Sequence, residues 1–536
     1  MLKEELAHAY LHIPIAALLS LACCSCAMTR AAAPVSAPAP AMSTAASLYD
    51  RMVEDTYAHF HLEGLAVGVI EQGKVVYVRT LGERVVGSGE KIDADTLFKI
   101  GSNSKAMTTA LLGRLVDQGK LHWDDPVTTY LRDFRMHDPW VTQQMRVADL
   151  LTHSSGLRTG AGDLMLWPDP NSFTRADVIH ALRYFKPAYG FRSKYEYDNL
   201  LYVVAGAVAE AAGGAPYATL MHEDVFAPLG LHCQVGHWDR DAIGNVAEPH
   251  GWINGRNQMI RADGSSIPAA ASDPAGGIRC SLNDMLAWAR NWLAPTSAEL
   301  AWLSPAQREV LQAPHMLIPV PQRLRQRDHT HVMAYGYGWR MADADGHWIV
   351  WHTGTLAGMY SELMLLPDQR SGFVILISGN GGEARRALGA TLLKHFTAPG
   401  DRRSVADYAA QLEAHGPAKG NAPTAPDASA ASPAAPGTLS GYLGVYQDPW
   451  LGEASICARD DTVRFQVKKS PRLSGTVMRL GQRYLVHWGD RSVEPDAWMD
   501  FHGTRSPSLT MAKLDPHGDT SSDYEDLDFV RKGQCE

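Results

Sequence analysis

The stretch TLFKIGSNSKAMTTALLGRLVDQGKL, residues 96–121, sets Ser102 three positions before Lys105 at the mouth of an apolar run. On a helix that spacing puts both side chains on one face. The helix behind them is apolar nearly all round, with Ala106, Met107, Ala110, Leu111, Leu112, Leu115 and Val116, and Gly119 ends it. Such a helix is buried. A lysine in its first turn is short of water and meets the positive end of the helix dipole, and both favour the neutral amine. A neutral amine can take the Ser102 proton and make the serine a usable nucleophile. The plainer reading is that Ser102 or Ser104 caps the helix and Lys105 is a surface charge. Spacing alone does not choose, because Ser88 and Lys91 repeat it with no apolar helix after them.

Two further groups stand downstream. YEYDNLLYVVAGAVAE opens a helix with Tyr197-Asp198-Asn199, and WHTGTLAGMYSELMLLP carries His352-Thr353-Gly354 into a strand. Taken singly they read as a core tyrosine, a helix cap and a hairpin glycine. Ser-x-x-Lys, Tyr-x-Asn and His-Thr-Gly in that order resemble the serine β-lactamase and penicillin-binding protein superfamily. The resemblance is to its class C β-lactamase, DD-peptidase and esterase branch, where Tyr leads the middle motif. LLTHSSGL (150–157), FAPLGL (226–231), PAGGIRCSLNDM (274–285) and ISGNGG (377–382) agree with it, and together these motifs cover residues 47–395.

The resemblance implies roles. Ser102 is the acylated nucleophile and Lys105 its base. Tyr197 exists partly as phenolate or relays a proton to the leaving group. Asn199 contacts the substrate amide and steadies Lys105. The backbone N–H groups of Ser102 and Thr355 face the oxyanion. Gly354 lets a substrate strand approach closely. His352 stands where β-lactamases usually carry Lys, so a permanent cation is missing, and a histidine is mostly neutral at pH 7. Thr353 and Thr355 are two apart on a strand and face one way, so their hydroxyls are expected to bind a carboxylate instead. The implied activity is that of an exported serine hydrolase acting on D-amino-acid peptides, small amides or esters, as DD-carboxypeptidases, D-aminopeptidases and esterases do. The alternatives are a class C-like β-lactamase and a β-lactam-binding protein that acylates without fast turnover. Neither a cofactor nor a metal is called for, and the expected partner is a small-molecule or peptide substrate, peptidoglycan fragments included.

The elements that must position these residues are legible in outline. LAVGVIEQGKVVYVRTLGE places apolar runs around Gln72-Gly73, a hairpin signal. RADVIHALRYF, LLYVVAGAVAEAAGG, ATLMHEDVFAPLG and SLNDMLAWARNWL carry helical spacing with Gly or Pro stops. YSELMLLPDQRSGFVILISGN reads as two strands, and RRSVADYAAQLEAH as a closing helix. The expected fold class is α/β (α+β), β-lactamase/transpeptidase-like. An antiparallel sheet from both ends of the block is flanked by helices, an all-helical lobe sits in the middle, and a cleft lies between.

The whole chain bounds the rest. At 536 residues it exceeds one ordinary domain. A net charge of −9 with no long basic run excludes nucleic acid as a partner. HIPIAALLSLACC is too short to span a bilayer and is followed by SCAM, with Ser25 and Ala27 as small residues of a cleavage site. Residues 1–27 therefore read as a signal peptide, which implies a periplasmic or secreted protein without a transmembrane helix once it is removed. A lipid anchor at Cys23 is a branch of that reading, weakened by Ser20 where a lipobox has Leu. Residues 28–46 form an Ala/Pro-rich tether, 47–415 the hydrolase domain, 416–437 a second Ala/Pro-rich linker, and 438–536 a small β-barrel similar to the lipocalin-like domain that often follows such hydrolases. Trp450, Phe465, Tyr484, Trp488, Trp498 and Phe501 are its candidate core.

Outside the leader the cysteines fall as Cys233 with Cys280 and Cys457 with Cys535, each pair inside one proposed domain. Disulfides and unpaired small hydrophobes are equal readings. The histidine pairs in AHFHL and DHTHV read as surface residues, His153 as scaffolding, and Ser281 with Asp284 as a capping box.

Overall fold

Gln72 and Gly73 both take positive φ, +50° and +80°, the two-residue turn whose twist matches a hairpin. They join β1 (Gly64–Glu71) to β2 (Lys74–Gly82). The hairpin is completed from the far end of the domain. In chain order there follow β3 (Met316–Leu317), β4 (Met333–Tyr335), β5 (Arg340–Ala344), β6 (His347–Leu356), β7 (Met359–Leu366) and β8 (Ser371–Ser378). All eight make one antiparallel sheet in the order β2-β1-β8-β7-β6-β5-β4-β3, with Gly64 opposite Ser378 and Ile70 opposite Gly372. The chain is seen in a computed structural model that describes residues 44–414 and 425–535, apart from 491, 494 and 504. The expected signal peptide, Cys23 and most of the expected first tether lie outside the described residues.

Alternation along β1 builds two cores. Leu65, Val67 and Val69 point to one face, where they meet Tyr49 of α1 (Thr44–His59), Leu388 of α5 (Gly382–Thr397) and Tyr408 of α6 (Val405–Ala414). Ala66 and Ile70 point to the other face and join the core of α4 (Leu282–Leu293). There Gly68 leaves room for Leu286, which a Cβ would meet at 2.6 Å. That second core continues into the helical lobe through α2 (Ser104–Asp117) and α3 (Leu200–Gly213), both buried along most of their length. No single helix among the described residues is long and apolar enough to cross a membrane.

The C-terminal block is a closed barrel of eight antiparallel strands: β9 (Gly444–Asp448), β10 (Gly452–Arg459), β11 (Thr462–Val467), β12 (Ser474–Leu480), β13 (Arg483–Trp488), β14 (Ala497–His502), β15 (Ser508–Lys513) and β16 (Asp528–Gly533). Each pairs with the next, and β16 pairs back on β9. Within the proposed linker, Ser432–Pro433 already pairs with β12. The aromatic core differs from the sequence expectation. Phe465 and Trp488 are interior, joined by Tyr446 and Phe529, whereas Tyr484, Trp498 and Phe501 are half-buried on outward-facing positions. Trp450 packs on Phe185 of the helical lobe, ring centroids 4.9 Å apart. Cys233–Cys280 and Cys457–Cys535 are both disulfides. The sheet-and-helix domain and the barrel form one compact unit from Thr44 to Glu536.

Candidate active site

Ser102 sits in a single helical turn, Gly101–Asn103, that leads straight into α2. No serine caps this helix. Asn103 holds the N-cap position without a side-chain bond, and the Ser104 hydroxyl accepts from the Ile278 N–H. The Ser102 turn is clamped to the sheet. Ser361 of β7 donates to the Ile100 carbonyl at 2.6 Å and accepts from the Asn103 amide at 2.7 Å. Gly354 of β6 lies against the same place, where a Cβ would stand 1.9 Å from the Ile100 oxygen. Glycine is thus required by the turn that carries Ser102. A Cβ on Gly101 would lie 2.9 Å from the Thr355 nitrogen, so the backbones of Ser102 and Thr355 are close neighbours.

Lys105 is fully buried. Its Nζ lies 3.0 Å from Ser102 Oγ, 2.7 Å from Asn199 Oδ1 and 2.7 Å from the Ala275 carbonyl. Two of these neighbours are pure acceptors. They use the two N–H bonds of a neutral amine and leave its lone pair facing the Ser102 hydroxyl. Burial pushes the Lys105 ammonium down to about 7, Arg340 adds to the push, and Asp163 and Asp198 oppose it.

The accessory motifs hold this arrangement. In PAGGIRC the Ala275 carbonyl faces Lys105, and the Pro274 carbonyl accepts from Thr108 one turn further along α2. In LLTHSSGL, His153 Nδ1 accepts from the Asp198 N–H and Ser155 donates to the Asp198 carboxylate, which fixes the turn bearing Tyr197 and Asn199. His153 is a scaffold residue. Asn199 does not cap α3 with its side chain. It accepts from Lys105 and donates to Asp163 Oδ2 at 2.8 Å.

Lys105 Nζ lies 4.9 Å from the centroid of the Tyr197 ring, and no hydrogen bond joins it to the buried Tyr197 hydroxyl. Burial pushes the phenol well above its ordinary value, which favours the protonated form.

Thr353, Thr355 and Ser102 line one cavity of about 1320 Å³ with Tyr197, Asn199 and Arg340. His352 does not. Alternation along β6 turns it inward, where it is 1% exposed. Its Nδ1 faces the Thr353 carbonyl and its Nε2 the Tyr335 hydroxyl. Burial holds it neutral. The resemblance also places His352 among the substrate-binding residues, but here it is a buried support for the strand.

The cation that the motif lacks comes from a neighbouring strand. Arg340 of β5 reaches Thr353 Oγ1 at 3.3 Å and stands over the Tyr197 ring at 5.4 Å. It also reaches the Tyr195 hydroxyl at 3.4 Å. Arg385 reaches Thr355 Oγ1 at 3.0 Å from below. Neither arginine belongs to a contiguous motif, and only the sheet register, with Arg340 opposite Trp351, brings Arg340 to the site.

The second Ser-x-x-Lys is a surface turn. Ser88 donates to the Val85 carbonyl and Lys91 pairs with Glu83 at 2.9 Å. Among the described residues no cluster of three or more metal-ligating side chains occurs. Ser281 and Asp284 form the expected capping box.

Comparison with known proteins adds to this geometry. Residues 49–398 match the family described as Beta-lactamase, and residues 428–531 match a domain of unknown function, DUF3471. The chain is 26% identical over 368 residues to an unguisins hydrolase of Aspergillus campestris, a match covering 65% of this chain and 64% of that protein. It thus spans just under two thirds of that relative's length. It is 25% identical over 379 residues to the D-alanyl-D-alanine-carboxypeptidase/endopeptidase AmpH of Escherichia coli K12, covering 67% of this chain and 90% of AmpH. The octameric penicillin-binding protein homologue of Pyrococcus abyssi has the same fold, with a TM-score of 0.55 at 17% identity over 90% of this chain and 99% of that one.

Proposed function

The chain belongs to the beta-lactamase family, and from that membership we propose that it is an exported serine hydrolase working through an acyl-enzyme on Ser102. Its substrates are D-amino-acid peptides, small amides or esters. The observation that carries this is the placement of Lys105 Nζ between two carbonyl acceptors and Ser102 Oγ. Ser102 Oγ attacks the substrate carbonyl carbon as its proton passes to Lys105. The negative oxygen that forms meets the N–H groups of Ser102 and Thr355. Collapse breaks the bond to the leaving amine or alcohol, which receives by way of the Tyr197 hydroxyl the proton that Lys105 took from Ser102, so that Lys105 is a free base again. Water then attacks the ester on Ser102, its proton goes to the same base, and the acid and the free serine are released.

Substrate choice follows from the cavity. Arg340 with the hydroxyls of Thr353 and Thr355 makes a carboxylate site beside the nucleophile, which suits peptides ending in a free acid. AmpH, a D-alanyl-D-alanine-carboxypeptidase/endopeptidase by its name, fits this reading. The volume exceeds that of a usual small-ligand pocket of about 300–1,000 Å³, which leaves room for an oligopeptide. The same carboxylate site favours a second reading, a class C-like β-lactamase or a β-lactam-binding protein, since those antibiotics carry an acid too. The two disulfides accord with an oxidising compartment.

The test is intact mass after incubation with a fluorescent β-lactam and with p-nitrophenyl esters. An adduct is expected in wild type and in Ser88→Ala and none in Ser102→Ala. Labelling that survives in Ser102→Ala refutes the assignment. The rate at which the β-lactam adduct disappears separates hydrolysis from mere binding.

A further inference from the structure

Asp163 opens the short helical turn Asp163–Met165 and is 1% exposed. Its Oδ2 accepts from Asn199 Nδ2 at 2.8 Å and from Ser521 Oγ at 2.8 Å. Its other oxygen, Oδ1, is buried with no protein donor among the described residues. Asn199 in turn accepts from Lys105. One unbroken chain of hydrogen bonds therefore runs from Ser521 through Asp163 and Asn199 to the proposed base. Its first member comes from the barrel.

Ser521 lies in the loop 514–527 between β15 and β16, and this loop is seated deliberately. Gly160 has no side chain because the Thr520 carbonyl occupies the place, 2.2 Å from where a Cβ would be. The Gly162 N–H donates to Asp523 Oδ2. Arg158 pairs with Asp523 and donates to Asp526 at 3.0 Å. Farther out, Lys469 of the barrel pairs with Asp177 at 2.6 Å and its carbonyl accepts from the Ser172 N–H at 2.8 Å. The loop reaches the cavity that holds Ser102, where Thr520 and Ser521 form part of the wall.

We propose that the barrel is a working part of the hydrolytic site, with Ser521 and Asp163 as positioning residues that set the proton occupancy of Lys105 through Asn199. The inference rests on Lys105 being the base for Ser102. A buried amine and a buried carboxyl joined through one amide are not independent. The pair is either ionised, with Lys105 a donor only, or neutral, with Lys105 a free base. Burial pushes Asp163 up and Lys105 down, and both movements favour the neutral pair. Every donor to Asp163 favours the carboxylate, and hence the ammonium. Ser521 is the donor that only a docked barrel supplies.

The other groups facing the pair are Asp198 before α3, Arg340 from β5, the phenols Tyr197 and Tyr202, and His153 and His352, both held neutral by burial. Asp523 is already paired with Arg158. Of all these, only Asp163 is tied to the amide that Lys105 touches.

The test is the pH dependence of the acylation burst with p-nitrophenyl acetate, in full-length wild type, Asp163→Asn, Ser521→Ala and Ser521→Thr. Asp163→Asn keeps an acceptor for Asn199 but removes the ionised form of the pair, in which Lys105 is a donor only, so the acid limb should move to lower pH. Ser521→Ala should move it the same way by less, and Ser521→Thr should restore the wild-type curve. Curves for Asp163→Asn and Ser521→Ala that overlay wild type, or that fall by one factor at every pH, overturn the inference while Ser102-dependent acylation stands. A wild type with no burst and no Ser102 adduct overturns the acyl-enzyme reading, and this inference with it.

Discussion

Replacing Lys105 by Met should abolish acylation and yet make the protein more stable. In the unfolded chain the ammonium keeps its proton up to about 10.5, while in the folded protein burial lets it go at about 7. Between those values folding must shed a proton, so the lysine opposes the native state. The penalty is full below pH 7 and fades as the pH rises toward 10.5. The gap between the two values corresponds to about 5 kcal/mol at neutral pH. Met fills a similar volume without a charge, but it leaves Asn199 Oδ1 and the Ala275 carbonyl without their donor, a loss of about 1–2 kcal/mol each. The net gain is about 1–3 kcal/mol, a rise of a few degrees in Tm. Thermal unfolding of wild type and Lys105→Met across pH 6–10 measures it. The difference should be largest at pH 6 and shrink toward pH 10. A Tm for Lys105→Met equal to or below wild type at pH 6 refutes the claim that the lysine is held against its solvation preference. An acid limb of wild-type acylation lying above pH 9 refutes it equally.

Four further outcomes follow from the same geometry. Arg340→Gln should raise KM for substrates with a free carboxylate by about 10- to 100-fold, since a hydrogen bond to a charged group contributes about 1.5–3 kcal/mol, and leave KM for uncharged esters nearly unchanged while moving the acid limb of acylation by every substrate to higher pH, because Lys105 loses a neighbouring cation; steady-state kinetics on matched acid and amide peptides across pH decide it. Gly354→Ala puts a Cβ 1.9 Å from the Ile100 oxygen, must push the Ser102 turn away from Thr355, and should slow the acylation burst by about 100-fold or more. His352→Lys buries an ammonium behind β6, where it meets Tyr335 and the charges of Arg340 and Arg385; it should lower Tm through an uncompensated buried charge, about 3–5 kcal/mol, without raising nitrocefin turnover. The double change Cys457→Ser with Cys535→Ser frees a loop closed across 78 residues, about 4 kcal/mol of chain entropy, and should lower the calorimetric Tm of the barrel transition by several degrees.

What the sequence makes legible is what lies contiguous in it. The apolar-all-round pattern of residues 106–116 announces a buried helix, and the structure buries Lys105 with it. The hairpin at Gln72-Gly73 and the strands around PDQRSG are equally local, and the sheet joins them through β1 and β8. His352 shows a local rule read incompletely. If Thr353 and Thr355 face the cleft, alternation already turns His352 away from it. Arg340, Asp163 and Ser521 could not be seen this way. Arg340 reaches the site through strand register, and Ser521 meets Asp163 across 358 residues of chain. The aromatic list for the barrel fails for the related reason that hydropathy marks a side chain as apolar without saying on which face of a strand it stands. Trp498 and Met499 are adjacent, and the pleat buries the methionine more deeply.

These late arrivals share one electrical purpose. On the proposed mechanism Lys105 works as a base only while it is neutral, so its surroundings must supply acceptors without a strong net negative charge. Carbonyls of Asn199 and Ala275 do this directly. The nearest acids, Asp163 and Asp198, are both pushed upward by burial, to about 8 and about 6, which weakens their hold on the lysine proton. A fixed ammonium at position 352 would also suppress protonation of Lys105, but only as an unpaired charge behind the strand. Arg340 solves the same problem from the cavity side. There its guanidinium lies over the Tyr197 ring, discourages a proton on Lys105 and remains available to a substrate carboxylate. Carboxylate recognition and base activation are thus coupled through one arginine. A bound acid would offset the Arg340 charge and raise the proton affinity of Lys105, just as the serine needs a group to receive its proton.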